Sequence, residues 1–371
     1  MIPAQRVQGI GLSQIRQMYL GARPDAINLG LGEPGWALPA FIPEVLAAGG
    51  STCSYGPNIG IAELREAIAA YEHLPQDQIM VSAGSQAALY ALFQAWLNPG
   101  DRVLVPDPGF LAYPALASLA GAISLPYTLQ PDGSPCFANL TALIEANSSV
   151  RMMIINYPSN PTGKTVSPAV LSAIATFCTK HEIILLSDEV YAELYLAEVS
   201  PGLRSVSDQG IVLSSISKAW GAPGLRVGWA TASAELLAPA RLIHNYMNTA
   251  PARPSQQAAA ALVQNSETLL PAARDEIRRR WAALSAALQE FCGIEAQAPG
   301  GSFYYWLQLP DSISMSELDW CMKLRDSANV IIIPGSAFGA AGKGHVRISF
   351  GMDTQIIHHG IQRMAASLEL V

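Results

Sequence analysis

The residue types that could do chemistry in this chain follow the ends of short apolar runs. Polar groups come directly after the runs 151–155, 183–187 and 211–215. Taken singly, a lysine, an aspartate or an Asn-Pro-Thr-Gly segment in such a place is more often a surface charge, a helix cap or a turn. Taken together they form one complement of amide, carboxylate, phenol, hydroxyls, amine and guanidinium: Asn160, Asp188, Tyr191, Ser215, Ser217, Lys218 and Arg226.

A fourth segment, Ala83-Gly84-Ser85-Gln86, precedes a helix-like stretch and could present helix N-terminal amides to an anion. An amine, a carboxylate and an anion site are together what pyridoxal phosphate requires. Its aldehyde forms a Schiff base with a lysine, its pyridinium nitrogen faces a carboxylate, and its phosphate needs hydrogen-bond donors. The residues therefore predict a site for this cofactor.

The elements that position these residues are predicted from the apolar pattern. Between about residues 61 and 232, β-rich runs alternate with segments whose apolar residues recur at three- and four-residue spacing. This alternation predicts an α/β fold with a mostly parallel sheet covered on both faces, in which the strand ends line the ligand crevice. The predicted strands are 79–82, 102–106, 151–155, 183–187 and 211–215, and the predicted helices are 62–72, 85–96 and 168–181.

After residue 250 the pattern becomes that of a smaller α+β domain. Ile277, Trp281, Leu284, Leu288 and Phe291 form one apolar stripe, which predicts a long helix. A helix over 314–327 and strands over 302–309, 330–333 and 345–350 follow. We therefore predict three segments: an N-terminal arm that packs with the small domain (1–44), a large cofactor-binding domain (45–255) and a small C-terminal domain (256–371).

Composition excludes several classes of protein. Of the 371 residues, 50% are hydrophobic and 14% are charged, and the net charge is −7. Disorder is excluded, and the acidic balance argues against binding to nucleic acid or to an anionic membrane. No apolar run reaches the ~18 residues of a membrane span, and we see no export signal.

The cysteines and histidines point to no disulfide framework and no metal site. Because the five cysteines are dispersed and lack a CxxC pair, we expect reduced thiols in a cytoplasmic protein. The six histidines include no ligand spacing, so we expect no metal. The cysteines are Cys53, Cys136, Cys178, Cys292 and Cys321.

Two familiar nucleotide motifs are matched only superficially. Gly30-Leu-Gly32-Glu-Pro-Gly35 fits G-x-G-x-x-G, but Pro34 prevents the helix that a dinucleotide fingerprint must open. The run 158–165 ends like a P-loop, but it begins with proline where glycine must make the tight turn, and Pro161 removes another amide donor. We reject both a dinucleotide site and an NTPase.

The sequence resembles the class I/II aminotransferases, a family of fold-type I pyridoxal-phosphate enzymes. The matching segments occur in the same order as in the family and span nearly the whole chain. The matching segments are LGLGEP (29–34), SYGPNIGIAELREAI (54–68), SAGSQAAL (82–89), DPGFLAYP (107–114), NPTG (160–163), SDEVY (187–191), SISKAWGAPGLRVGW (215–229), PGGSFYYWL (299–307) and HVRISFG (345–351).

This resemblance implies both a fold and an activity. The fold would be aspartate-aminotransferase-like, with a seven-stranded, mostly parallel sheet flanked by helices in the large domain and a smaller α+β domain. The activity would be the transfer of an amino group from an α-amino acid to a 2-oxo acid, by a ping-pong mechanism through an internal aldimine on Lys218.

Roles toward the cofactor are carried over residue by residue. Lys218 would form the Schiff base and act as acid and base, and Asp188 would pair with the protonated ring nitrogen. Tyr191 and Asn160 would hydrogen-bond the ring 3-oxygen, and Phe110 would stack on the ring. The residues implied for the phosphate are Gly84, Ser85, Gln86, Ser215, Ser217 and Arg226.

The resemblance also implies a partner subunit and a substrate site. Tyr55 would reach the phosphate from the neighbouring subunit of a homodimer. Arg347 would bind the substrate carboxylate, assisted by Asn160 and a backbone amide near Gly32. Trp36, with Tyr304 and Tyr305, is a candidate wall residue of the substrate site, although ordinary core aromatics explain these three residues as well.

Alternatives within and outside this chemistry stay open. No second arginine stands out as a partner for a side-chain carboxylate, which argues against strict aspartate or glutamate specificity. A lyase, decarboxylase or cyclase could use the same fold and cofactor, because a few side chains decide which bond at Cα breaks. A ligand-sensing DNA-binding regulator fits less well, since the motifs begin by residue 29 and the chain is acidic.

Overall fold

The computed structural model describes residues 2, 4–8, 10–51 and 54–368, so Cys53 lies outside the described residues. The other four cysteines are free. Within these ranges the α-helices are α1 (Gln5–Gln8), α2 (Gln14–Tyr19), α3 (Ile42–Gly49), α4 (Ala62–Glu72), α5 (Ser85–Trp96), α6 (Ala112–Leu119), α7 (Phe137–Ala146), α8 (Pro168–Lys180), α9 (Ala234–Asn248), α10 (Arg253–Gln264), α11 (Ser266–Cys292), α12 (Glu317–Ala328) and α13 (Thr354–Leu368).

The strands form three sheets. They are β1 (Ile27–Asn28), β2 (Ile79–Ser82), β3 (Arg102–Asp107), β4 (Ile123–Thr128), β5 (Val150–Asn156), β6 (Ile184–Asp188), β7 (Ile211–Ser215), β8 (Gly228–Thr231), β9 (Tyr304–Gln308), β10 (Val330–Ile331), β11 (Ile333–Pro334) and β12 (His345–Ser349).

The largest sheet has seven strands in the order β2-β8-β7-β6-β5-β3-β4. The five strands from β7 to β4 run parallel, and β8 is antiparallel to both of its neighbours. The predicted α/β fold with a seven-stranded, mostly parallel sheet is therefore confirmed. Two of the strands, β4 and β8, were not identified from the apolar pattern.

Side-chain alternation buries both faces of this sheet. Val103, Met152 and Ile154 pack on one face with α5, α6 and α9. Their chain neighbours, such as Leu104 and Met153, pack on the other face with α7 and α8. Because successive residues of a strand point to opposite faces, strands covered on both sides must be apolar throughout, as these are.

A smaller group of elements combines a strand near the N-terminus with strands and helices from the C-terminal part of the chain. The three-stranded antiparallel sheet has the order β11-β12-β9, and β1 pairs in parallel with β10. The predicted long helix is α11, which packs against α13. The predicted strand over 330–333 is in fact two strands, since β10 pairs with β1 and β11 with β12.

The predicted division into three segments stays a prediction, and its boundary at 255/256 falls inside α10. None of the described helices is long and apolar enough to cross a membrane.

Candidate active site

A cavity of about 290 Å³ lies at the carboxyl ends of the central parallel strands. Parallel strands end at the same edge of a sheet, so residues that follow β5, β6 and β7 meet there. Twelve of the residues predicted for the site line this cavity: Gly32, Ser85, Gln86, Phe110, Asn160, Asp188, Tyr191, Ser217, Lys218, Arg226, Tyr304 and Arg347.

Lys218 supplies the amine of the cavity. Its half-buried side chain donates a hydrogen bond from Nζ to the carbonyl oxygen of Gly32 at 2.6 Å. Nζ also lies 5.3 Å from the ring centroid of Tyr191 and 5.8 Å from that of Phe303. The amine thus faces two aromatic rings and a carbonyl group, and among the described residues it forms no ion pair.

Asp188 is the last residue of β6 and is 7% exposed. Burial raises the pKa of its carboxyl group, while the Tyr113 hydrogen bond, the Val190 amide and the charge of Lys218 lower it. The Tyr113 hydroxyl donates to Oδ2 at 2.8 Å, and the side chain of Asn156 donates to the Asp188 carbonyl oxygen at 2.8 Å. A buried carboxyl group held in this way is suited to a cationic or proton-donating ligand.

Arg347 is a buried guanidinium for which the described residues offer no carboxylate partner. It is 2% exposed and donates to Asn160 Oδ1 at 2.8 Å and to the Gly30 carbonyl oxygen at 2.5 Å. Its Nε has no hydrogen-bond partner among the described residues, which also offer it no ion pair. Since buried charges are normally paired, this arrangement is ready for an anionic ligand.

Two aromatic rings lie close to the guanidinium of Arg347. Its Cζ lies 4.2 Å from the ring centroid of Tyr304 and 4.8 Å from that of Phe338. Cation–π contacts of this kind help to hold the planar group in place.

The opposite end of the cavity is suited to a phosphate. No side chain caps α5, and the first amides of any helix lack intrahelical acceptors, so Ser85 and Gln86 stand at an open N-terminus. Gly84 precedes them at φ +84°, and a Cβ there would meet Nη2 of Arg226. The open amides at the start of α5 and the guanidinium of Arg226 thus lie close to each other.

The two serines of the Ser-Ile-Ser-Lys segment differ in position. Ser217 lines the cavity, whereas Ser215 does not. Ser215 Oγ lies 2.8 Å from Ser217 Oγ and 3.0 Å from the Val227 carbonyl oxygen, and it accepts from the Ser217 amide at 3.1 Å. Ser215 thus lies behind Ser217 and hydrogen-bonds to it, and its role at the phosphate stays a prediction.

Aromatic side chains form the remaining walls. Phe110 contacts Tyr113 edge to face, with ring centroids 5.5 Å apart. The hydroxyl groups of Tyr191 and Tyr304 are hydrogen-bonded at 2.8 Å, and burial raises the pKa of Tyr191 well above its usual value.

Three further predicted residues lie away from the cavity wall. Gly84 is the N-cap residue of α5, where only its backbone is available to a ligand. Trp36 contacts Phe303 and Arg280 and lines a different cavity, and its role at the substrate site stays a prediction. Tyr55 is 89% exposed on the surface of the subunit.

Two polar residues for which no role was predicted also line the cavity: Tyr113 and Asn156. Tyr113 lies three residues beyond Phe110, and Asn156 is the last residue of β5. Both contact Asp188, but only the assembled sheet brings them to it. The one signal available in advance was that a polar residue ends an apolar strand at Asn156. Among the described residues, no group of three His, Cys, Asp or Glu side chains could hold a metal ion.

The cavity of this seven-stranded α/β fold thus brings together a lysine amine, a buried carboxyl group and a buried guanidinium for which the described residues offer no ion pair. Residues 24–364 match the family model "Aminotransferase class I and II". The chain belongs to that family and is an aminotransferase.

Individual relatives share the whole length of the chain. The putative aminotransferase YugH of Bacillus subtilis is 33% identical over 96% of both chains, and the aspartate aminotransferase of Pyrococcus horikoshii is 29% identical over 99% of this chain and 97% of that one. The crystal structure of Escherichia coli YbdL, for which a methionine aminotransferase function is identified, superposes with a TM-score of 0.91 at 27% identity, covering 99% of this chain and 100% of that one.

Proposed function

We propose that this protein is a pyridoxal-phosphate-dependent aminotransferase that moves the amino group of an α-amino acid to a 2-oxo acid by a ping-pong mechanism. One observation carries the proposal: the Lys218 amine, the buried Asp188 carboxyl group and the unpaired Arg347 guanidinium open onto the same cavity as the uncapped start of α5. An amine, a carboxylate, a carboxylate receptor and a phosphate site are the four groups that such an enzyme needs.

The residues present fit this cofactor. The open amides of Ser85 and Gln86, with Ser217 and Arg226, would hold its phosphate, and Lys218 would hold its aldehyde carbon covalently. Phe110 would lie against the ring, and Tyr191 and Asn160 would donate to the ring 3-oxygen. When bound, pyridoxal phosphate supplies a ring that accepts the electron pair left at the substrate Cα.

Asp188 and Lys218 divide the proton handling between them. Asp188 would hold a proton at the ring nitrogen, because a cation there offsets the burial that raises the pKa of this carboxyl group. Lys218, tethered at the cavity floor, would move a proton from the substrate Cα. A positioned acid–base group of this kind contributes about 10²–10⁴-fold in rate.

Arg347 would bind and orient the substrate carboxylate along its free edge. Its two donors to Asn160 and Gly30 fix the plane of the guanidinium before substrate arrives. A fixed carboxylate determines which Cα bond stands perpendicular to the cofactor ring, and therefore which bond is activated.

The charges of the cavity support amino donors with an uncharged side chain. Among the described residues that line it, the basic groups are Lys218, Arg226 and Arg347. The first would carry the cofactor, the second would face the phosphate and the third would bind the α-carboxylate. Within one subunit, no cation is then left for a second substrate carboxylate.

A homodimer completes the proposal. Tyr55 is 89% exposed, and Tyr246 and Leu242 on α9 are 86% and 62% exposed. Large apolar side chains so exposed are suited to a subunit interface. Tyr55 would reach the phosphate of the partner's site. A cytoplasmic location stays a prediction from the dispersed cysteines.

Replacement of the lysine tests the proposal. Lys218→Ala should abolish both the borohydride-reduced adduct, found by peptide mass spectrometry, and transamination, because no other amine lines the cavity within the described part of the chain. Lys164→Ala, an exposed lysine in the loop after β5, is the control and should keep both. An adduct on another residue, or undiminished turnover of Lys218→Ala, would refute the proposal.

An experiment with the wild-type holoenzyme distinguishes transamination from lyase chemistry. Incubated with an amino acid but no oxo acid, an aminotransferase stops after one equivalent of product per site. A lyase or decarboxylase would continue to turn over.

A further inference from the structure

Tyr304 contacts two functional side chains of the cavity, Arg347 and Tyr191. It is the first residue of β9 and is 1% exposed. Its ring covers one face of the Arg347 guanidinium at 4.2 Å, and its hydroxyl group lies 2.8 Å from that of Tyr191. One side chain therefore touches both the group that would bind the substrate carboxylate and the group that would face the cofactor ring.

The Tyr304 hydroxyl has little freedom. It is packed against Gly32, where a Cβ would collide with it, and among the described residues Tyr191 is its one hydrogen-bond partner. A buried hydroxyl group whose hydrogen finds no acceptor is costly. The direction of this single hydrogen bond is thus physically significant.

Only one direction satisfies both hydroxyl hydrogens once a cofactor is bound. If Tyr191 donated to Tyr304, the Tyr304 hydrogen would be left without an acceptor among the described residues. If Tyr304 donates to Tyr191, the Tyr191 hydrogen is free to point into the cavity, where the ring 3-oxygen would accept it. This step rests on the proposed function.

We propose that Tyr304 is a positioning residue whose hydroxyl group donates to Tyr191 and so directs the Tyr191 hydrogen at the ring 3-oxygen of the cofactor. A hydroxyl group that accepts a hydrogen bond is polarised and becomes a stronger donor itself. A stronger donor stabilises a negative 3-oxygen, so the cofactor held on Lys218 loses its proton at a lower pH.

The ring and the hydroxyl group of Tyr304 can be separated by substitution. Tyr304→Phe keeps the ring against Arg347 and removes only the donor. Tyr305→Phe is the matched control, because Tyr305 is the next residue of the same strand, packs against Trp281 with ring centroids 5.4 Å apart, and does not line this cavity.

The measurement is the pH titration of the visible absorption of the holoenzyme. In Tyr304→Phe the midpoint should rise by about half a pH unit or more, since the 3-oxygen loses a polarised donor. Tyr305→Phe should leave the midpoint unchanged. The Kd of 3-phenylpropionate, a simple carboxylate probe for Arg347, should stay within about twofold in both variants, because the stacked ring remains.

A double variant tests whether the effect passes through Tyr191. Tyr191→Phe should also raise the midpoint, and adding Tyr304→Phe to it should produce no further rise, because the second hydroxyl group then has nothing to polarise. An additive double variant, or an unshifted Tyr304→Phe, would overturn the positioning role.

Failure of this inference differs from failure of the proposed function. If no cofactor attaches to Lys218, the wild-type protein shows no titrating visible band at all. If the wild type titrates and Tyr304→Phe does not differ from it, only the role of Tyr304 is lost.

Discussion

Two neighbouring carboxyl groups, Asp188 and Glu189, face opposite sides of the sheet edge. Asp188 opens onto the cavity and is held by Tyr113, whereas Glu189 lies behind it and accepts hydrogen bonds from Ser187 Oγ and the Leu203 amide, both at 2.7 Å. Burial raises the pKa of Glu189 to about 7. The last residue of β6 thus lines the cavity, and the residue that follows it is bonded within the surrounding scaffold.

The raised pKa of Glu189 predicts a pH-dependent loss of stability. The unfolded chain releases this proton near pH 4.5 and the folded chain near pH 7, so the folded state binds more protons between these values. Stability therefore falls as pH rises through this window, and the loss between pH 5 and 7.5 should be about 2 kcal/mol.

Glu189→Gln should remove this loss while keeping a side chain that accepts both hydrogen bonds. The free energy of unfolding in urea, measured at pH 5.0 and 7.5, tests this prediction. Relative to the wild type, the variant should be more stable at pH 7.5 than at pH 5.0. Glu66 is an exposed glutamate on α4, and Glu66→Gln is the control. Its free energy of unfolding should change between the two pH values as that of the wild type does. Parallel curves for Glu189→Gln would contradict the prediction.

At the residue scale, what the sequence predicts depends on how a residue acts. Lys218 and Asp188 could be selected in advance because their chemistry is a property of the residue type and of its place after a predicted strand. Arg347, which lies inside β12, was selected through the family resemblance. Tyr113 and Asn156 act through contacts with Asp188 that exist only in the assembled sheet. Trp36, which follows a glycine motif in the sequence, lies at a different cavity, and its role at the substrate site stays a prediction.

At the scale of elements, the start of α5 depends on one glycine. Gly84 has φ +84° and ψ 156°, a conformation that residues with a side chain adopt only under strain. Its missing side chain also leaves the space that Nη2 of Arg226 occupies. Backbone shape and guanidinium position are thus coupled at this turn.

Gly84→Ala should lower both stability and cofactor affinity. Displacing Arg226 removes a charged hydrogen bond from the phosphate, so the Kd of pyridoxal phosphate should rise by about 10–100-fold in an absorbance titration of the apoprotein. Gly100→Ala is the matched control, since Gly100 has φ +90° with no atom near its Cβ position. That control should lose stability but bind the cofactor normally; equal affinity in both variants would count against the phosphate site.

Elements were predictable where the apolar pattern was strong. The boundaries of α4, α5 and β2 coincide with those predicted, because their apolar spacing or β-rich run is uninterrupted. Strand β4 is an edge strand with Pro126 and much exposed surface, and β8 has four residues beginning with glycine, so neither carries a clear period-two signal. The division of 330–333 into two strands depends on partners that lie far away in the chain.

At the scale of the whole molecule, the proposed shared site makes a prediction about mixed dimers. If Tyr55 serves the partner's cavity, a dimer of one Lys218→Ala subunit and one Tyr55→Ala subunit contains one intact site. The two-tag purified hybrid should then have about half the wild-type activity per dimer at limiting cofactor. The Lys218→Ala homodimer should be inactive, and the Tyr55→Ala homodimer should bind the cofactor weakly.

The alternative geometry gives a different result. If Tyr55 acted within its own subunit, the hybrid would contain no intact site, because one cavity would lack the lysine and the other the tyrosine. A hybrid no more active than the Tyr55→Ala homodimer, or a chain that sediments as a monomer, would exclude the shared site.

The hydrogen bond from Arg347 to Gly30 spans 317 positions of the chain, whereas the seven sheet strands lie between residues 79 and 231. During synthesis, the amine and both carboxyl groups of the sheet edge therefore leave the ribosome well before the guanidinium that we propose as the receptor for the substrate carboxylate. A polypeptide truncated before β12 would keep the Lys218 amine but lack this proposed receptor.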